Sequence, residues 1–202
     1  MIEEYINIHV RSKFKKNDLI KYELVSYLND DLFAELGRAY EEDLNIVEHL
    51  TSRKVKYYKS ISYTIVDNDD QIDVKLKAGD VIDILEDLST NSIFQNTGIT
   101  TRISYARIRA IFLHTKGNLQ VPFLFLDWFI SQDSIDQKLR CPLYKLQKSE
   151  DYTWRRIYAI KCIDHQPNVH FVHCCKTGCI VNGEHSQNNM NYMHNIFYYT
   201  AV

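Results

Sequence analysis

The chain has 202 residues, 45% of them hydrophobic and 25% charged, with a formal net charge of -2. That length is enough for a buried core, and the near balance of charge excludes a general electrostatic grip on DNA, RNA or an anionic membrane. No apolar run reaches membrane-span length, and the start lacks the basic-then-apolar layout of a secretory signal. The five cysteines are an odd number, which points to an intracellular, reducing compartment rather than a disulfide framework.

In chain order, residues 5–10 alternate Ile6, Ile8 and Val10 with other neighbours, the pattern of a short strand. Residues 11–16, RSKFKK, form a small basic cluster that reads as a solvated turn, with an anion contact as the alternative. Residues 17–50 read as helix in two parts. Leu19, Tyr22, Val25 and Leu28 make one stripe; Phe33, Leu36, Tyr40, Leu44, Val47 and Leu50 make a second after a break at residues 29–31. This segment is expected to pack on the sheet, with Asp43 and Asn45 weakening it. Glu41, Glu42, Asp43 and Glu48 read as its wet face.

From Val55 the period changes to two. Residues 55–65, 72–76 and 81–85 are strands, separated by turns at residues 67–70 and at Ala78-Gly79-Asp80. Residues 87–101 are a polar loop. Residues 105–129 form the central hairpin. Ile103, Tyr105, Arg107, Arg109 and Ile111 share one parity, and Ala106, Ile108 and Ala110 the other. Residues 114–119, HTKGNL, supply the turn, with Gly117-Asn118 at its tip. The return strand, residues 121–129, is so apolar that both faces should be covered. Residues 131–138 read as a polar loop, and residues 143–146, 154–163 and 168–172 as further strands. The class is therefore α+β, mainly β: a distorted, partly open β-barrel with an N-terminal helical segment. Residues 1–54 form the extension, residues 55–173 the barrel, and residues 174–202 a Cys/His-containing tail packed on it.

An ordered set of motifs then points to a family. Ala78-Gly79-Asp80-Val81-Ile82, the arginine-bearing strand of residues 105–111, Leu126-Asp127-Trp128-Phe129 and the strand of residues 157–163 together resemble a bromo-adjacent-homology (BAH) domain. The resemblance covers residues 60–173. It implies a non-enzymatic interaction module of the nucleus, binding histone tails or other chromatin proteins, without catalytic residues. The run from His170 to Cys175 also resembles the ends of uncharacterised fungal proteins associated with transposable elements. From that side the rival expectation is a zinc-dependent nucleic-acid-binding fragment of a mobile-element protein.

Two clusters carry the candidate chemistry. Tyr63, Tyr105, Trp128, Trp154 and Tyr158 fall on separate strands, and aromatics so placed can cage a methylated ammonium. Trp128 and Phe129 are expected in the core, whereas Trp154 beside Arg155-Arg156 suits a peptide or a base. The peptide-binding set is thus Tyr63, Tyr105, Trp154, Arg155 and Tyr158. In the tail, His173, Cys175, Cys179 and His185 are borderline-to-soft ligands of the type zinc takes. Adjacent Cys174 and Cys175 would leave opposite faces of a strand, so the expectation is a tail without cofactor, with zinc as the alternative. Residue types alone also allow a cysteine nucleophile there, but no local catalytic signature accompanies it.

Overall fold

A computed structural model describes residues 7–9, 25–67, 70–87, 101–147, 154–163, 169–174 and 190–196. The class is α+β and mainly β, with one α-helix among the described residues and a sheet curled as in a partly open barrel. The strands are β1 (Asn7–His9), β2 (Val25–Tyr27), β3 (Lys54–Tyr58), β4 (Ser60–Asp67), β5 (Asp70–Lys77), β6 (Val81–Asp87), β7 (Thr101–Lys116), β8 (Leu119–Ile135), β9 (Pro142–Leu146), β10 (Ile157–Ala159), β11 (Phe171–His173) and β12 (Asn191–His194); the helix is α1 (Asp30–Leu44). Two compact units divide these residues. The first takes residues 1–80, 108–126 and 154–165, and the second residues 81–107, 127–153 and 166–202. The strands β7 and β8 run through both.

The hairpin formed by β7 and β8 turns at Gly117-Asn118 alone. Gly117 has φ 58° while Asn118 stays on the negative side, the arrangement of a II′ turn with glycine first. Residues 114–116, read from the sequence as part of the turn, are strand. The parity of β7 is as its sequence dictates as far as Arg109: Ser104, Ala106 and Ile108 are buried, while Ile103 and Arg109 are exposed; beyond it Ala110 is half-buried and Ile111 buried, against the expected alternation. Residues 121–124 and 126–129 of β8 are buried without alternation, so both faces are covered. The strand then continues through residues 131–135, which the sequence suggested were loop. Their polarity reflects exposure and not the absence of pairing, since Ser131 faces Tyr144 and Ile135 faces Pro142 across a bulge.

In the first unit, β4 and β5 pair throughout and β1 adds to β4; β3 pairs with β2 and β7. Residues 25–27 are thus strand, not the end of a first helix; residues 10–24 lie outside the described residues. The helix α1 begins where Asn29 Oδ1 accepts the Leu32 N–H at 2.9 Å, with Asp30 and Asp31 at its positive pole. It ends in a left-handed cap: Asn45 adopts φ 60° and donates its N–H to the Glu41 carbonyl, the αL motif, and Ile46 donates to the carbonyl of Tyr40. The weakening read at Asp43 and Asn45 is therefore a terminus. Leu36, Ala39 and Tyr40 bury against Leu28, Val55, Phe112, Phe123, Ile157 and Ala159. Val47 lies beyond the helix and is 75% exposed, so the apolar stripe stops short of it.

Two carboxylates of α1 are not wet. Glu35 accepts the backbone N–H of Arg156 at 2.7 Å and its Nε–H at 2.7 Å. Asp43 accepts the Ala159 N–H at 2.8 Å and the Arg155 guanidinium, which Glu42 also binds at 2.7 Å. The helix is thereby fastened to β10 by charge as well as by apolar packing. Two other positions on α1 work against the helix. Gly37, in its middle, costs about 1 kcal/mol relative to alanine, yet no neighbour lies within 4 Å of where a Cβ would stand. Glu41 sits in the last turn, at the negative pole, and that turn has no basic residue.

His114 is 1% exposed and joins three segments of this unit. Its Nε2–H donates to the Ser52 carbonyl at 2.8 Å, so Nδ1 accepts the Tyr40 hydroxyl proton at 2.9 Å. Burial pushes the imidazole below its ordinary pKa, against the upward pull of the Ser52 bond. The unfolded state then takes up a proton that the folded state resists. Stability from this group is fully present above about pH 6.5 and lost as pH falls below it, by at most about 1.4 kcal/mol per pH unit. Denaturant midpoints measured between pH 5 and 8, for the native chain and for His114→Gln, should show a smaller acid-side decline in the variant.

In the second unit, β6 pairs with the start of β7, from Val81 opposite Arg107 to Asp87 opposite Thr101. The tail strand β12 lies between β9 and β11. No single-sequence signal had marked it as strand.

Candidate functional site: an aromatic and imidazole face

The second unit gathers rings from five strands. On β11 and β12, Phe171 stands opposite His194 and His173 opposite Tyr192; Tyr192 in turn stands opposite Tyr144 of β9. Period-two geometry places all five side chains on one face. Tyr105 of β7 closes on them, its ring centroid 4.9 Å from His194, 5.5 Å from Phe171 and 5.7 Å from Tyr144. Beneath, Phe129 of β8 stacks on Phe171 at 4.1 Å and meets Tyr192 edge-on at 5.2 Å. Phe129 is buried, whereas Tyr105, Tyr144, Phe171, Tyr192 and His194 are half-buried. The face is therefore anchored from below and open above.

Its electrostatics are those of neutral rings beside an ion pair. Burial lowers the His194 pKa, and neighbouring His170 lowers it further, so His194 is neutral at pH 7. Arg107 and Asp127, two residues along from Tyr105 and Phe129, pair at 3.0 Å, with Asp127 nearly buried. Such a face offers ring quadrupoles to a cation and flat area to a planar group.

The residues proposed from sequence are dispersed. Tyr105 is in the face. Tyr63 is in the first unit and is core, 4% exposed; burial pushes its hydroxyl up to about 12, and that hydroxyl has no hydrogen-bond partner among the described residues. Arg155 is not a surface contact. Its side chain is 8% exposed, pairs with Asp43 and Glu42, and lies over the Tyr158 ring at 4.0 Å. The pair Arg155–Tyr158 is thus brought together, but to clamp α1. Trp154 is half-buried. The sequence reading missed Tyr144, Phe171 and Tyr192, and weighed His194 only as an alternative zinc ligand beside His173. The usable signal was the repeated aromatic-x-histidine alternation, Phe171-x-His173 and Tyr192-x-His194. Of the tail ligands, His173 faces Tyr192 at 5.1 Å, and Cys175, Cys179 and His185 lie outside the described residues. Among the described residues no three His, Cys, Asp or Glu side chains converge on a point where a metal would sit, and no helix is long and apolar enough to cross a membrane.

No family model, no curated protein and no solved structure matches the chain. The motif segments do meet one another. Gly79 N–H donates to the Ile108 carbonyl at 2.7 Å and Ile108 N–H to that of Asp80 at 2.8 Å. Gly79 takes φ 98° there, a conformation that strains any side chain. Asp127 of the Leu-Asp-Trp-Phe run holds Arg107 of the arginine strand, and Leu126 N–H donates to the Arg156 carbonyl at 2.8 Å, at the threshold of β10.

Proposed function

We propose that the protein is a non-enzymatic interaction module that binds chromatin peptides, histone tails first among them, on the face formed by Tyr105, Tyr144, Phe171, Tyr192 and His194. The observation that carries the reading is this open ring face, anchored from below by Phe129 and held on the arginine strand that bears the BAH resemblance. The rings touch one another, so a lysine or methyl-lysine head would lie against their outer faces and not inside a gap. Neutral His194 suits that use; its protonation in acid would repel the same cation.

The test is isothermal titration of the purified chain with histone-tail peptides, unmodified and lysine-methylated, and with a short DNA duplex. We expect peptide binding that Tyr105→Ala weakens about tenfold, the loss of one desolvated cation–ring contact. Unchanged denaturant midpoints would separate this from a loss of fold. Binding of DNA alone, abolished by a chelator, would replace this reading with the zinc-dependent nucleic-acid fragment, built on His173, Cys175, Cys179 and His185.

A further inference from the structure

The two residues that work against α1 line the same feature. A groove of about 390 Å³ runs along the outer side of the helix in the first unit, with Phe33, Gly37, Glu41, Ile46, Val47 and Leu50 among its walls. Gly37 is at its floor, where nothing in the described chain needs the missing side chain. Val47, 75% exposed, offers apolar surface to whatever enters. Glu48 is already held by Lys116 at 2.8 Å, whereas Glu41 makes no ion pair among the described residues. A mid-helix glycine that packing does not require and an unpaired carboxylate at a negative helix pole are both departures from local consistency. Departures of this kind concentrate where function opposes stability.

We infer that this groove docks a short segment of a partner protein carrying a bulky apolar side chain next to a lysine or arginine. The apolar group lies over Gly37, where a Cβ would lift it off the helix, and between Phe33, Ile46 and Val47. The cation pairs with Glu41 and offsets the helix pole. Charge complementarity selects this occupant: the groove carries the unpaired Glu41 carboxylate in its last helical turn and, His49 apart, no lysine or arginine among the lining residues. The ring face contains no residue of this unit.

The probe is a fluorescein-labelled peptide with Leu-Phe flanked on each side by two lysines, titrated by anisotropy into the full chain. Controls replace Leu-Phe by Ser-Ser, or the lysines by glutamates. Gly37→Ala and Glu41→Gln are each expected to weaken binding about tenfold. Gly37→Ala should at the same time raise the denaturant midpoint, and Glu41→Gln should not lower it. Stabilised variants that bind less cannot be misfolded. Unchanged affinity in both variants, or equal binding of either control peptide, would overturn the inference. So would loss of this peptide on Tyr105→Ala, which would assign it to the ring face. Tenfold tighter binding after Lys13→Glu with Phe14→Ser would also overturn it, by assigning the groove to the chain's own basic segment.

Discussion

Trp128→Ala should cost about 3–5 kcal/mol, the range for truncating a large aromatic in a packed interior. Trp128 is 0% exposed and is among the largest fully buried side chains. It lies in the stretch of β8 where burial runs without alternation, so there is no solvent side to which the neighbours can relax. Its own carbonyl accepts the Gln147 N–H at 2.8 Å, which ties the residue that follows β9 to this position. A loss of that size is a large share of the about 5–15 kcal/mol that holds an ordinary domain together, so the variant should populate unfolded chain well below the native denaturant midpoint. Phe129 is its internal comparison: it is 4% exposed, and its ring supports Phe171 and Tyr192. Phe129→Ala should therefore lower stability and also loosen the ring face. A Trp128→Ala midpoint within error of the native value would contradict the packing described.

Glu35→Ala is expected to be of similar size by a different route. The Glu35 and Arg156 side chains are 8% and 15% exposed. Glu35 accepts from the Arg156 backbone N–H, from its Nε–H and from its terminal guanidinium nitrogen. Removing the carboxylate leaves a guanidinium largely out of water without its counter-charge, which costs about 3–5 kcal/mol when a buried pair is broken from one side. The pair itself need not stabilise by that amount; replacing both partners by apolar groups of similar volume should recover most of the loss. Glu35→Leu with Arg156→Met is that variant, and Glu35→Ala alone is expected to be the less stable of the two. Urea unfolding of the two variants, followed by tryptophan fluorescence, checks the order. The consequence for function is positional. With Glu35 and Asp43 both gone, α1 would lose its charged grip on β10, and the groove beside Gly37 would lose the frame that shapes it.

Much of the β structure was legible because its signals are local. The period-two parity from Ile103 to Arg109 and the Gly117-Asn118 pair determine a hairpin with its inner and outer faces. Val55 to Ile65 and Ile72 to Leu76 alternate over enough residues to rise above chance, although the first run proves to be two strands, β3 and β4, meeting at Lys59. Three-residue strands such as Val25–Tyr27 carry too few positions for any period, and there a helical stripe drawn from Leu19 overrode them. Residues 131–135 were misread because polarity was equated with loop; an exposed strand has no apolar face to announce it. The helix clamp was beyond sequence reasoning altogether. Glu35 and Arg156 stand 121 positions apart, and nothing local distinguishes them from solvated charges. The ring face was half legible: Tyr105 was marked by its strand, while Tyr144, Phe171 and His194 depend on how β9, β11 and β12 pair. Cys175, Cys179 and His185, the ligands on which the zinc alternative rests, lie outside the described residues.

Amide and aromatic chemical-shift mapping on the isotopically labelled chain, titrated with a lysine-methylated histone-tail peptide, addresses the proposed function most directly. The expected result is saturable shifts at Tyr105, Tyr144, Phe171, Tyr192 and His194 that vanish with Tyr105→Ala, while the signals of Leu36, Tyr40 and Phe123 in the first unit's core stay in place. Saturable shifts that leave these five rings unmoved, or no shifts with any histone peptide at millimolar concentration, would contradict it.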